Sequence, residues 1–146
     1  MPLEAPYHIM EINIDTGDNF INWNDALEQC DDDVDFLREL LADLRDEMMS
    51  QLKKMAKCFT ETGKCLHSEE YHCLEMGAHA IKGAASNLMC EHLRQGADNL
   101  ERSAGKARDA KEKVTEDMHL EVEEYFNELC SIAEAYRNRF ELMEIS

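Results

Sequence analysis

Proline is nearly absent from this chain. Of 146 residues only two are proline, and both fall within the first six. Proline's ring and missing N–H end helices, so everything after Pro6 can be helical without that interruption. Glycine is scarce too, at six. No apolar run approaches the roughly 20 residues of a membrane span, and Met1-Pro2-Leu3-Glu4 does not open a basic-then-apolar signal peptide. No two cysteines stand at C-x-x-C spacing. Cys30, Cys58, Cys65, Cys73, Cys90 and Cys130 therefore read as reduced, mostly buried small residues of an intracellular protein and not as a disulfide framework. There is no glycine-rich nucleotide loop and no G-x-x-x-x-G-K-[ST], so the chain is not expected to be a kinase by itself.

Positive charge is also in short supply. Against 32 Asp and Glu stand 15 Lys and Arg, a net charge of −17, which argues against nucleic acid and anionic membranes as partners. The deficit is uneven. Residues 1–78 hold 6 basic and 18 acidic side chains and residues 114–146 hold 2 and 9, whereas residues 79–113 hold 7 and 5. The only stretch that is not acidic begins at His79.

What is present is helical periodicity. At 146 residues and 44% hydrophobic content, the chain is expected to be one domain with a substantial core. Residues 1–20 lack a sustained period; Tyr7, Ile9, Ile12 and Ile14 fit a short helix or an arm, and residues 15–19 a turn. Asn22 caps a short helix to about Cys30, with Trp23 as a packing anchor. Asp31, Asp32 and Asp33 cap a second helix to about Phe59, whose stripe is Leu37, Leu41, Leu44, Met48, Leu52, Met55 and Phe59. Phe36 and Leu40 lie on its flank, as the edge of a broad core or as an apolar patch that docks a partner. The pattern breaks around Gly63. Ser68, Glu69 and Glu70 open a third helix to about Met89. A fourth starts near Glu91 with Leu93, Ala97, Leu100, Ala104 and Ala107 inward, and Gly105 is expected to fray its end. Thr115 caps the last helix, with Met118, Val122, Tyr125, Leu129, Ile132, Tyr136, Phe140 and Met143 inward. These units predict an all-α fold, an antiparallel up-and-down four-helix bundle over residues 21–146 with one or two short N-terminal helices.

The third helix is where the chemistry gathers. Leu74, Ala78, Ile81, Ala85 and Leu88 form its buried stripe. At 100° per residue, His79 lies roughly 140° and Gly83 roughly 180° from the stripe's centre, so both face outward. A glycine inside a helix costs about 1 kcal/mol relative to alanine, and here it clears space one turn beyond the imidazole. Lys82 is a helical neighbour of His79. An outward imidazole, a bare approach and a nearby cation suit a histidine that receives an anionic group.

The pattern His-x-(Ile/Leu)-Lys-Gly-(Ser/Ala)-(Ser/Ala), here His79, Ile81, Lys82, Gly83, Ala84 and Ala85 with Ser86, Asn87 and Leu88 following, resembles that of histidine-containing phosphotransfer (HPt) domains. A weaker likeness covers most of the chain from Trp23 onward. Many members carry glycine ten residues after the histidine, where this chain has Met89. The resemblance implies a phosphocarrier of multistep two-component phosphorelays and not an enzyme in its own right. His79 would take a phosphoryl group from a receiver-domain phospho-aspartate and pass it to a second receiver, with Lys82 stabilising the phosphohistidine. Glu75, one turn earlier, is a candidate to orient the ring through Nδ1 or else a surface charge. Ser86 is a candidate to bond a phosphate oxygen or to bond back to its own helix. No cofactor is implied, the Mg²⁺ belonging to the partner. Receiver domains of response regulators and hybrid histidine kinases are the expected partners, with no nucleic acid and no membrane. The expected state is a monomeric, free-standing shuttle in the cytoplasm, with the nucleus as a second location.

Two other classes fit the same residues. His72, Glu75 and His79 share an outer helix face and would be the ligands of a metal site, although bundle metals are normally held by inward-facing side chains. A phosphate-independent helical adaptor would use the same face for binding alone. His8, His67, His92 and His119 read as structural or solvated.

Overall fold

A computed structural model of the protein describes residues 21–59 and 64–142. The arm read over residues 1–20, the break at Gly63 and the inward Met143 lie outside the described residues. Five α-helices and a short 3₁₀ turn make up the rest, and no strand occurs among the described residues.

Helix α1, Trp23–Gln29, starts as expected: Asn22 Oδ1 accepts from the Asp25 N–H at 3.1 Å. It buries Trp23 and Ala26. The chain then turns sharply through Asp31 and Asp32, both with positive φ, 54° and 62°, a conformation that Asp tolerates better than most residues. Of the three aspartates only Asp33 caps, accepting from the Phe36 N–H at 3.1 Å. Helix α2, Val34–Ala56, buries Leu37, Leu41, Leu44, Met48, Leu52 and Met55. It stops three residues short of Phe59. Freed from the helix, the Phe59 ring packs against Phe126 at 5.0 Å between centroids and His119 at 6.0 Å.

Helix α3, Ser68–Asn87, begins with Glu70 Oε1 accepting from the His67 N–H at 2.9 Å. Ser68 does not cap; its hydroxyl donates to the Arg108 carbonyl at 3.2 Å. Leu74, Ala78, Ile81 and Ala85 are fully buried. The helix closes through Leu88 and Met89, and Met89 has φ 59°. The left-handed backbone there is the one glycine favours. Helix α4, Glu91–Ala110, buries all five expected residues and also Gly96 and Ser103. Gly105 does not fray it; the helix continues another turn, and a Cβ there would come within 3.1 Å of Glu75 Oε2.

A 3₁₀ turn at Lys111–Lys113 and the Thr115 cap, whose Oγ1 accepts from the Met118 N–H at 3.1 Å, lead into α5, Glu116–Leu142. Its buried line is His119, Val122, Phe126, Leu129, Ala133, Tyr136 and Phe140. Met118, Tyr125 and Ile132 sit one residue off that line and are only half-buried. Periodicity favoured the larger side chains, but the bundle interior takes Ala133 for closeness. It also takes His119, whose Nδ1 is paired with the Tyr71 hydroxyl at 2.8 Å.

Helix α3 packs against α4 and α2, and α5 against α4 and α2. The four long helices thus form a closed ring with sequential neighbours, and short connections make those neighbours antiparallel. No described helix is long and apolar enough to cross a membrane. Cys30, Cys58 and Cys90 are buried and Cys130 half-buried, but Cys65 and Cys73 are exposed, against the expectation of mostly buried thiols.

Candidate functional site

His79 projects from the middle of α3 with 59% of its side chain exposed. The three-residue connection after Asn87 folds α4 back along α3, and small residues on the facing stripes (Ala78 and Ala85 on α3, Ala97 and Ala104 on α4) keep the two helices close. Close helices let short side chains reach across. The Glu101 carboxylate of α4 meets His79 Nδ1 through Oε2 at 2.9 Å and Lys82 Nζ through Oε1 at 2.7 Å. Lys82 also lies 3.4 Å from Asp98 Oδ1, and Asp98 Oδ2 lies 3.1 Å from the Arg102 guanidinium.

The electrostatics assign the histidine tautomer. Burial opposes the charge on Glu101, but Lys82 and His79 together outweigh it and hold the carboxyl below its ordinary value. Lys82 is held above its ordinary value, first by its bond to Glu101. An ionised carboxylate only accepts hydrogen bonds. Nδ1 is therefore the donor, and in the neutral ring Nε2 keeps its lone pair. Among the described residues Nε2 has no hydrogen-bond partner.

Beside the ring the surface is bare. A Cβ placed on Gly83 would meet nothing within 4 Å. Between α1, α2 and α3 runs a groove of about 510 Å³, lined by Leu40, Leu44, Ala80, Ala84 and Leu88, with Asp43 and Glu47 among its polar residues. Ala80 and Ala84 directly follow His79 and Gly83 in sequence, so the groove runs along the face of α3 about 100° round from theirs. Leu40 lines it. Phe36 does not, but stands one helical turn earlier on α2 with 45% exposure, and Met76, one turn before His79, is similarly open.

Of the residues singled out from the sequence, His79, Lys82 and Gly83 come together. Glu75 does not join them. Its carboxylate pairs with Arg108 and lies 3.5 Å from His72 Nδ1, so the ring is oriented by Glu101 instead. Ser86 is exposed two turns along α3, about 10.5 Å on an ideal helix. Among the described residues no set of three or more His, Cys, Asp and Glu is arranged to hold a metal ion, and His72, Glu75 and His79 are divided between two separate ion-pair clusters. His119 is buried and structural. Its Nδ1 shares a hydrogen bond with the Tyr71 hydroxyl, whose oxygen accepts the Leu66 N–H at 3.2 Å. Glu101 was missed because nothing in the sequence near His79 points 22 residues onward. The signal was available only through the bundle: in an antiparallel hairpin about the Leu88–Cys90 connection, residue 79 faces the neighbourhood of residue 101.

Comparison with protein-family models, with curated proteins and with solved structures finds no match for this chain.

Proposed function

We propose that the chain is a histidine phosphocarrier of the HPt type, accepting a phosphoryl group on His79 Nε2 from a receiver-domain phospho-aspartate and passing it to another receiver. The observation that carries this reading is the state of His79: solvent-exposed, its Nδ1 donating to Glu101 and its Nε2 open beside a glycine that fills no space.

The step is an in-line displacement. The Nε2 lone pair forms a P–N bond as the P–O bond to the aspartyl carboxylate breaks, and that carboxylate leaves with the bonding pair. Such transfer depends chiefly on positioning and charge. Glu101 fixes the ring's tautomer and orientation, and it stabilises the positive charge that the imidazole gains as Nε2 is phosphorylated. Lys82 and Arg102 together offset Glu101 and Asp98, so that two carboxylates beside the ring do not repel the incoming phosphoryl group. Gly83 lets the partner's active-site rim close on the ring. The groove along Leu40 and Ala84, extended by Phe36, offers apolar area for the partner's docking.

The test is direct. Mixed with a receiver domain phosphorylated on its aspartate, the chain should acquire acid-labile, base-stable label, and His79→Gln should acquire none while binding the receiver as before. Label that persists on His79→Gln would end this reading. Binding without any label on the wild-type chain would leave only the phosphate-independent adaptor.

A further inference from the structure

Cysteine chemistry is the part of the molecule that the carrier reading does not use. Three cysteines gather where α2 ends and α3 begins. Cys58, just after α2, is buried; Cys65, before α3, and Cys73, on α3, are exposed. The Cys58 thiol donates to the Glu70 carbonyl, with Sγ 3.9 Å from the oxygen. Cys73 stands three residues beyond Glu70 on the same helix, and helical side chains lean over the turn that precedes them. Its thiol therefore lies over the place where Cys58 enters, close enough for each sulfur to influence the other. Cys65 turns away, its Sγ 3.7 Å from the Thr115 carbonyl. Cys90 is fully buried beyond the other end of α3, with Sγ 3.6 Å from the Leu88 carbonyl.

We propose that Cys58 and Cys73 are an oxidisable dithiol, a modification site at which a hydroperoxide closes one intrachain disulfide between the segment after α2 and the first half of α3. The exposed partner reacts first. The Cys73 thiolate attacks the peroxide, forming an S–O bond as the O–O bond breaks and hydroxide leaves to be protonated. Cys58 then attacks the Cys73 sulfenic acid; the S–S bond forms, the S–O bond breaks, and the Cys58 proton leaves with the hydroxyl as water. Overall two thiols lose two protons and two electrons, and hydrogen peroxide becomes two waters.

The order of events follows from the environments. Burial, and after it the neighbouring Cys73, push the Cys58 thiol up to about 12, so Cys58 is a poor first nucleophile and a slow resolving one. The bond would pin the end of α2 to the helix that bears His79. Cys73 is six residues before His79, about 9 Å along the axis, so Glu101 and Lys82 keep their places around the ring. This inference does not rest on the carrier reading.

Trypsin cleaves after Lys57, Lys64 and Lys82, which places Cys58 in one peptide and both Cys65 and Cys73 in the next. The experiment therefore uses the full-length chain as Cys65→Ser, which removes the ambiguity at an exposed position. Treated with hydrogen peroxide, then blocked with iodoacetamide and digested, it should yield peptides 58–64 and 65–82 joined by a bond that a phosphine reductant cleaves. The intact chain should be lighter by two hydrogens and melt several degrees higher before reduction than after. Adding Cys73→Ser should abolish the cross-link. Recovery of Cys73 as sulfinic acid or in an intermolecular dimer, with no joined peptides, would overturn the proposal. So would peptide 58–64 joined to a peptide that carries Cys30, Cys90 or Cys130 instead of to 65–82.

Discussion

Replacing Gly83 by alanine should make the free protein more stable and its chemistry slower. The stability half follows from the helix alone. Gly83 is exposed in the interior of α3, and a Cβ there meets nothing within 4 Å. The substitution therefore carries no steric penalty and gains the intrinsic difference between glycine and alanine, about 1 kcal/mol. For a chain of this size that is roughly 3–5 °C in Tm. The transfer half follows from the partner's approach. A methyl stands about 1.5 Å out from the backbone, and a displacement of about 1 Å can slow a reaction that depends on alignment by ~100-fold. Gly83→Ala should slow labelling by about 10- to 100-fold and Gly83→Leu further, although neither unfolds the bundle. Gly77 provides the control. A Cβ there would sit 2.9 Å from Met55 Sδ in the core, so overpacking should offset the helical gain and leave Gly77→Ala at or below wild type. Urea melts of the three variants, paired with labelling time courses against one phosphorylated receiver, measure both halves. If Gly83→Ala and Gly83→Leu both transfer at the wild-type rate, the bare surface beside His79 has no role in approach and the reasoning fails.

Glu101→Gln should lower stability by about 1–2 kcal/mol at pH 7, since Lys82 and His79 lose a shared charged acceptor. Because the folded state holds the Glu101 carboxyl below its ordinary value, its contribution is present above roughly pH 4.3 and is lost as pH falls through the folded value. The gap between wild type and Glu101→Gln in denaturant melts should therefore close in acid; a gap that widens there would refute the ion-pair account. Tyr71→Phe removes the hydroxyl that serves both Leu66 and the buried His119 and should cost about 1–3 kcal/mol in urea titration, whereas a neutral result would mean that the His119 ring finds another partner. Met89→Gly relieves a left-handed backbone at φ 59° and should stabilise the chain by about 0.5–1 kcal/mol; a loss of that size would mean that packing of the half-buried Met89 side chain outweighs the strain.

Much of this fold is legible in the sequence because helices announce their faces. The buried lines of α2, α3 and α4 are the apolar residues at three- and four-residue spacing, and the caps at Asn22, Asp33 and Thr115 are the residue types that cap. The misreadings share a physical cause. Hydrophobicity alone points Phe59 and the larger residues of α5 inward, whereas their places are decided by what lies opposite. Phe59 leaves its helix to join an aromatic cluster around His119, and Ala133 displaces Ile132 because the interior needs a small residue there. Likewise Ser68 has the right chemistry for a cap but donates its hydroxyl to the Arg108 carbonyl of the next helix instead.

The same contrast explains why half of the candidate site could be read and half could not. His79, Lys82 and Gly83 lie within five residues on one helix, so the 100° turn fixes their mutual placement whatever surrounds them. Glu101, the group that sets the tautomer of His79, is a tertiary neighbour and exists as such only because α3 and α4 pack closely. That dependence has a mechanical consequence. The carboxylate spans His79 and Lys82 at 2.9 and 2.7 Å, and its own backbone is held by Ala97, Leu100 and Ala104, all fully buried. A larger residue in place of Ala104 would spread the two helices without touching any polar group of the site. Spreading by even 1 Å takes a 2.9 Å hydrogen bond beyond useful range and frees the ring to rotate. Orientation of His79 is thus a property of core packing in this bundle, and a substitution buried beneath the site should impair it as surely as one within it.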